Sequence, residues 1–410
     1  MSNNLLTINM ITREAVRLWV NTNSFLQHID TQYDDQFAIT GAKIGQSLRI
    51  RLPNDYTVRN GPVAQIQDTA ETSTTLTLAT QKGVDVSFNS AERTMSLDDY
   101  SKRILAPAVN NLVGAVAADV MSGVEGGISN LVGNFDAAGN LLRPTLDTWL
   151  SAKALLSLRS APTDNRKFIL DPVSMARTVQ SLSGLLNPAT EISEQYRTGE
   201  VYNAIGFDWF EDQTVIKHTN GTYTGTAPTV NGASQTGTSI NITIGAASFT
   251  VGDVISFAGV NAVNRITKVT TGELQQFVVT SYAGGVLGIY PAIVPPTGGN
   301  PVQYQTVTAS PANAAVISLA PLSAALTTGF SGTTYRKNFA FIPDAVTMAT
   351  ADLEMPKNMQ EVARERMDGV SLRMVTGFDI KSDQFITRLD VLYGYLWVRP
   401  EWACVVADII

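Results

Sequence analysis

Polar and apolar positions change their period several times along the chain, and each change marks an element. Ile11, Ala15, Leu18, Trp19, Leu26 and Ile29 recur at mainly helical spacing, with Arg13, Glu14 and Arg17 elsewhere. This predicts an amphipathic N-terminal arm within residues 1–35. A period of two follows in Gln46-Ser-Leu-Arg-Ile-Arg-Leu, Thr74-Thr-Leu-Thr-Leu and Val84-Asp-Val-Ser-Phe, with turns at Asn54 and Asn60-Gly-Pro. A long hairpin or extended loop is expected between Ala42 and Phe88. Ser96-Leu-Asp-Asp has the form of a capping signal and opens a periodic run of Leu97, Tyr100, Ile104, Leu105, Ala108, Leu112, Val116 and Val120. The run predicts a helix over about 97–122, kinked or short of one backbone bond at Pro107.

Between residues 145 and 217 helix and strand mix. Thr145-Leu-Asp-Thr-Trp-Leu reads as a capped helix, Lys167-Phe-Ile-Leu as a buried strand, and Pro172 as the first turn of another helix. Gly206-Phe-Asp-Trp-Phe and Thr214-Val-Ile-Lys supply more strand. Short strands about ten residues apart come after His218: Ile240-Asn-Ile-Thr-Ile, Ser248-Phe-Thr-Val, Val254-Ile-Ser-Phe, Arg265-Ile-Thr-Lys-Val, Gln276-Phe-Val-Val-Thr and Val286-Leu-Gly-Ile-Tyr. Gly and Asn separate them, which predicts a small sandwich or barrel inserted over residues 219–318. Strands resume at Phe339-Ala-Phe-Ile, Ala345-Val-Thr-Met, Val370-Ser-Leu-Arg-Met-Val and Val391 to Val398. The fold class expected is α+β with an inserted all-β domain.

Composition sharpens the boundary of that insertion. The 410 residues are 44% hydrophobic and 16% charged, too apolar for a disordered chain. From Thr219 to Tyr335 the charges are Asp253, Arg265, Lys268 and Glu273, about 3% of that stretch against about 21% elsewhere. The net charge of −7 argues against dedicated duplex binding, which relies on Lys and Arg neutralising phosphates. Gly, Pro, Thr and Gln interrupt each apolar window from Leu274 to Tyr335, so no membrane span is predicted there. The N-terminal Met1-Ser-Asn-Asn-Leu-Leu-Thr lacks the basic start and apolar run of a secretory signal.

Chemistry is sparse. One cysteine and two histidines cannot build a Cys/His zinc site, an iron–sulfur cluster or a disulfide framework from this chain alone. Neither His28 nor His218 stands in a nucleophile-elbow context; the first reads as a helix-terminal residue and the second as a residue of the domain junction. Cys404, in Trp402-Ala-Cys-Val-Val, reads as a small core residue. Gly123-Val-Glu-Gly-Gly and Tyr282-Ala-Gly-Gly lack the lysine and strand-to-helix context of a phosphate loop and read as turns. Asp34-Asp35 and Asp98-Asp99 are adjacent carboxylate pairs, and the second falls where it offsets the macrodipole of the long helix. The charge cluster from Met355 to Met367 reads equally as a solvated surface element or as a contact between subunits. No catalytic, cofactor-binding or metal-binding residue is assigned.

In its order of elements the chain resembles the major capsid proteins of tailed phages, with the HK-ninety-seven or Johnson fold. Within them it is similar to the P-twenty-two-type coat proteins, whose extra β-barrel interrupts the α/β domain. Gly252-Asp-Val-Ile-Ser-Phe-Ala-Gly-Val is similar to a segment of that barrel, through Gly252, Asp253, Phe257 and Gly259. Tyr393-Gly-Tyr-Leu-Trp-Val-Arg-Pro-Glu is similar to the closing strand, through Tyr393, Gly394, Arg399, Pro400 and Glu401. Tyr100-Ser-Lys-Arg-Ile through Asn110-Asn occupies the place of the spine helix, with Leu97, Tyr100, Ile104, Leu105, Leu112 and Val116 as its core.

The resemblance implies an N-terminal arm at 1–35, an extended E-loop at 36–82, a peripheral domain at 83–144, an axial domain at 145–218, the insertion at 219–318 and a second axial and peripheral part at 319–410. It implies a non-enzymatic subunit that self-assembles as pentamers and hexamers into the icosahedral head around a double-stranded DNA genome. Assembly would occur in the host cytoplasm with a scaffolding protein and a portal. DNA would be met non-specifically on the inner face, a decoration protein is a further partner, and no cofactor or membrane is implied. Leu48, Ile50 and Leu52 are expected against a neighbour's spine helix, with Arg49, Arg51, Asp55 and Arg59 as ion pairs across that contact. Two departures matter. The hairpin has no lysine between Ile44 and Gln81, and no asparagine follows Asn358, so a Lys–Asn crosslink is not expected. Gly221 to Ser239 carries no charge, where the relatives have a charged loop that bridges capsomers. A β-rich adhesin or glycan-binding protein is the alternative, but it leaves the long helix unexplained, and an α/β hydrolase has no triad to assemble.

Overall fold

The computed structural model describes residues 8–20, 23–31, 47–52, 54–59, 61–64, 66, 73–89, 101–182, 201, 203–223, 225–245, 247–296, 302–322, 329–356, 361–379 and 384–410. Asp34-Asp35, Leu97, Asp98-Asp99, Tyr100 and Asn358 lie outside them. The chain divides into two compact units, one of Met1–Arg51, Ser73–Val120 and Val346–Val398, the other of Leu52–Thr72, Met121–Ala345 and Arg399–Ile410.

The first unit is organised on one 14-residue strand, Gln384–Trp397. It pairs antiparallel with Thr80–Asn89, Val370–Asp379 and Val346–Ala351, and Glu361–Met367 extends the sheet beyond Val370–Asp379. The strand begins earlier than the expected Val391, and Asp390 sits inside it because Arg373 and Arg388 reach its buried carboxylate at 2.6 and 2.7 Å. The second half of the charge cluster is likewise a strand, Glu361–Met367, whose Arg364 and Arg366 face Asp352 at 3.3 and 3.5 Å. The helix Ile8–Val20 packs on this strand and on Val370–Asp379, burying Thr12, Ala15, Val16 and Trp19. It stops at Val20, and a separate short helix, Ser24–Gln27, is capped by the Asn23 side chain. His28 ends this second helix, with Nδ1 2.7 Å from the Ser24 carbonyl.

The predicted long helix is present as a π-helical turn, Ser101–Leu105, running into the α-helix Ala106–Val124. Pro107 sits in the first α-helical turn, directly after the π turn, where its missing N–H and its ring are tolerated. Leu105, Val109, Leu112, Val113, Val116, Ala117 and Val120 are buried, whereas Lys102, Arg103, Asn110 and Asn111 are exposed. By length and composition the helix could cross a bilayer, but its apolar face is already spent inside the protein.

The second unit holds two large sheets and a two-stranded one, Asn134–Phe135 with Leu141–Leu142. A seven-stranded mixed sheet includes Leu131–Val132, Ala403–Ile409, Thr334–Phe341, Lys167–Leu170 and Phe207–Glu211. The helix Leu146–Leu158 packs on the strand Ala403–Ile409. In the core Trp149 meets Phe168 and Trp209 edge-on, both at 5.3 Å between ring centroids. The other large sheet is six-stranded and antiparallel, in the order Thr229–Val230, Gly237–Thr243, Val286–Ile293, Thr270–Ala283, Val254–Val263 and Ile317–Leu319. Its two end strands meet through a Thr229 to Val316 bridge, so the sheet closes on itself. A boundary at 318 falls inside the last strand, and Ser248-Phe-Thr-Val is not a strand. Arg265-Ile-Thr-Lys-Val is a turn: the Asn264 side chain accepts from the N–H groups of Ile266 and Thr267, a local pairing that competes with the ladder.

In the first unit, Gly394 lies where an added Cβ would stand 2.2 Å from the Thr77 carbonyl oxygen. Gly394→Ala is expected to destabilise the subunit by about 2–3 kcal/mol through forced separation of these backbones, measured as the shift in urea unfolding of the unassembled chain.

Candidate functional site

The four charges of the charge-poor stretch meet different surroundings. Asp253 is fully buried and accepts from His218 Nε2 at 2.9 Å, from the N–H of Thr250 at 2.9 Å and of Gly221 at 3.2 Å, and from the Tyr223 hydroxyl at 3.4 Å. Burial, with Asp253 beside it, holds the Tyr223 phenol well above its ordinary pKa, so it remains a donor. His218 lies on the short strand Lys217–Thr219, which pairs with Thr334–Phe341 of the mixed sheet, and its ring meets Tyr335 edge-on. Lys337, also buried, donates to the Gly252 carbonyl at 3.2 Å. Arg265 reaches Asp55 of the hairpin segment at 2.9 Å and Glu401 at 3.1 Å. Glu273 acts electrostatically on Arg159, whose own pKa is lowered by burial. Lys268 feels the field of Asp55.

Uncharged groups complete this junction. Gln276 accepts from the Leu131 N–H at 2.7 Å and donates to the Leu131 carbonyl at 2.9 Å. Arg159 donates to Gln275 and Asn130 at 2.7 and 3.2 Å. The motif glycines serve the backbone: Gly252 and Gly259 adopt φ of 95° and 79°, a region open to glycine at little cost. Phe257 is buried edge-on to Phe277.

The hairpin residues divide. The strands Ser47–Arg51 and Ser73–Thr77 pair antiparallel, and Ile50 and Leu76 are buried with Leu78, Ala349, Ala351 and Leu392 of the same chain, Leu48 packing beside them. Ile50 is therefore used within the subunit and is not available to a neighbour, because alternation turns it onto the sheet of its own unit. Asp55 likewise pairs in its own chain. Leu52 is half-buried, and Arg49, Arg51 and Arg59 are exposed; Arg49 donates to the Ser73 hydroxyl and Arg59 to the Gly61 carbonyl. Beyond the paired strands the loop leaves large apolar side chains in water: Tyr56 is 59%, Val58 92%, Val63 76% and Ile66 98% exposed.

The C-terminal motif splits between the units. In the first, Tyr393 donates to Asp119 of the long helix, which Lys82 also meets at 3.4 Å. In the second, Pro400 opens a 3-10 turn, Arg399 stacks 4.5 Å over Trp402, and Glu401 receives Arg265. Of the spine residues that are described, Leu105, Leu112 and Val116 are buried and Ile104 is half-buried. Cys404 is buried in the aromatic core, and burial pushes its thiol pKa up, away from the thiolate. Among the described residues no three His, Cys, Asp or Glu side chains converge as metal ligands. Lys337, Gln276, Arg159 and Asp119 were not singled out from sequence, although a lone charge inside an apolar period, as at Asp119, was a readable sign.

The sequence matches the family described as P22 coat protein, gene protein 5, over residues 36–406. No curated protein matches it. Solved structures similar to it include one from Mycobacterium phage Che8, at 12% identity and a TM-score of 0.46, covering 94% of this chain and 90% of that one. The capsid of Cyanophage P-SCSP1u is similar at 12% identity and a TM-score of 0.41, covering 90% and 84%. The CUS-3 coat protein I-domain is 31% identical with a TM-score of 0.20, covering 24% of this chain and all of that one. The chain belongs to the P22 coat protein family and is a major capsid protein of a tailed phage.

Removing the central carboxylate should strand its donors. Asp253→Ala is expected to cost about 3–5 kcal/mol, with hydrogen exchange of the unassembled chain rising first around residues 218–223 and 250–254.

Proposed function

We propose that the chain builds the icosahedral head as an HK-ninety-seven-like subunit, its closed six-stranded sheet serving as the inserted barrel and its 52–72 loop reaching a neighbouring copy. The exposed loop carries this reading. Tyr56, Val58, Val63 and Ile66 stand 59–98% exposed on one short segment, whereas the paired strands beneath bury Ile50 and Leu76. Fully burying four such side chains is worth roughly 6–12 kcal/mol per subunit before association costs, and each shell repeats the contact many times. The exposed arginines Arg49, Arg51 and Arg59 flank the loop and suit carboxylates of the neighbour.

The arm at 1–35, E-loop at 36–82, peripheral domain at 83–144, axial parts at 145–218 and 319–410 and insertion from 219 to just beyond 318 are the corresponding functional parts. Pentamers and hexamers of this subunit form in the host cytoplasm with a scaffolding protein and a portal, a decoration protein is a further partner, and the packaged DNA meets the inner face without sequence preference. The subunit performs no catalysis. The uncharged Gly221–Ser239 segment makes any contact there by hydrogen bonding and packing rather than ion pairs.

The double variant Val58→Asp, Ile66→Asp is expected to stay folded, since both side chains are already in water, and to remain unassembled. Sedimentation velocity and electron microscopy, with the scaffolding protein coexpressed, check this; shells formed at the wild-type yield would overturn the loop's role.

A further inference from the structure

We infer that a cavity of about 350 Å³ in the second unit is a binding site for a small molecule with an apolar body and a single carboxylate, which Lys268 recognises. The volume falls in the range of ligand pockets, about 300–1,000 Å³. Leu52, Val263, Tyr290 and Pro291 give it apolar walls, and Arg159, Arg265 and Lys268 supply cations.

Those cations are not equivalent. Arg265 is committed to Asp55 and Glu401, and Arg399 also faces Glu401 at 3.5 Å. Arg159 has Glu273 acting on it and spends two N–H groups on Asn130 and Gln275. Lys268 alone among them makes no ion pair or side-chain hydrogen bond with a described residue, yet it is half-buried. Burial lowers its pKa while the nearby Asp55 acts in the opposite direction. A lysine free to do so extends its ammonium into water.

The backbone keeps Lys268 at the cavity. Asn264 and Val269 close the turn at 2.8 Å, the Lys268 N–H donates to the Asn264 carbonyl at 2.9 Å, and Lys268 has φ of 57°. A left-handed lysine is a strained choice that the surrounding turn must enforce. Tyr290 lines the same cavity, and burial raises its pKa, so it is a phenol that can donate beside the ammonium. The uncompensated charge is single and two carboxylates stand close by, which favours a monoanion over a phosphate dianion.

The test is calorimetric titration of 4-phenylbutanoate, and of the uncharged 4-phenylbutan-1-ol, into the purified unassembled full chain. The acid should bind saturably at one site and the alcohol about tenfold or more weaker. Lys268→Met should weaken the acid about tenfold or more and leave the alcohol unchanged, whereas Lys268→Arg should retain the acid. Circular dichroism and melting of each variant establish that it is folded. Absence of saturable binding to the wild-type chain, or equal affinity for the acid in the folded wild type and Lys268→Met, would overturn the assignment.

Discussion

Asp253 has no exposure to solvent, and four different groups donate to its carboxylate. Taking a carboxylate out of water costs several kcal/mol unless its lone pairs are met, so residues 218–223 and Thr250 must arrive together. The chain leaves the mixed sheet at the end of Lys217–Thr219, passes these donors, and joins the six-stranded sheet at Thr229. The same carboxylate therefore ties the outgoing strand to the corner at Gly252, which Lys337 holds from the mixed sheet. The position of the insertion on its host rests on that cluster.

Arg265 follows the same rule, meeting Asp55 and Glu401, and Glu273 acts electrostatically on Arg159. Lys268 has only the field of an Asp55 that Arg265 already pairs. The rest of the insertion is built from Thr, Ser, Asn, Gly and Val, which can be covered by a neighbour without leaving a charge unpaired. A subunit destined for burial among copies of itself gains from that economy of charge.

Close backbone approach is the second constraint, and glycine meets it. Gly394 admits the Thr77 carbonyl, and Gly83 stands directly across from Asp390, whose carboxylate occupies the space of a Cβ. These contacts join the long strand to the hairpin and to its edge partner in the first unit. They also explain why Tyr393 and Gly394 are neighbours: one side chain reaches Asp119 while the next position must have none.

Much of the fold was legible from the period of the chain, including the N-terminal helix, the long helix, the hairpin, the alternating strands and the low-charge insertion. One misreading has a local cause: Arg265-Ile-Thr-Lys-Val alternates like a strand, but Asn264 captures its backbone. The sequence by itself determined which side of each element is apolar, where charge stops, and the order of parts that marks a coat protein. Only the tertiary structure decided that Ile50 and Asp55 are satisfied inside the subunit while Val58 and Ile66 are not, and which carboxylates Arg265 meets. Periodicity sets a side chain's direction relative to its own backbone, whereas Arg265 and its partners lie 210 and 136 residues apart and meet only when the sheets have packed.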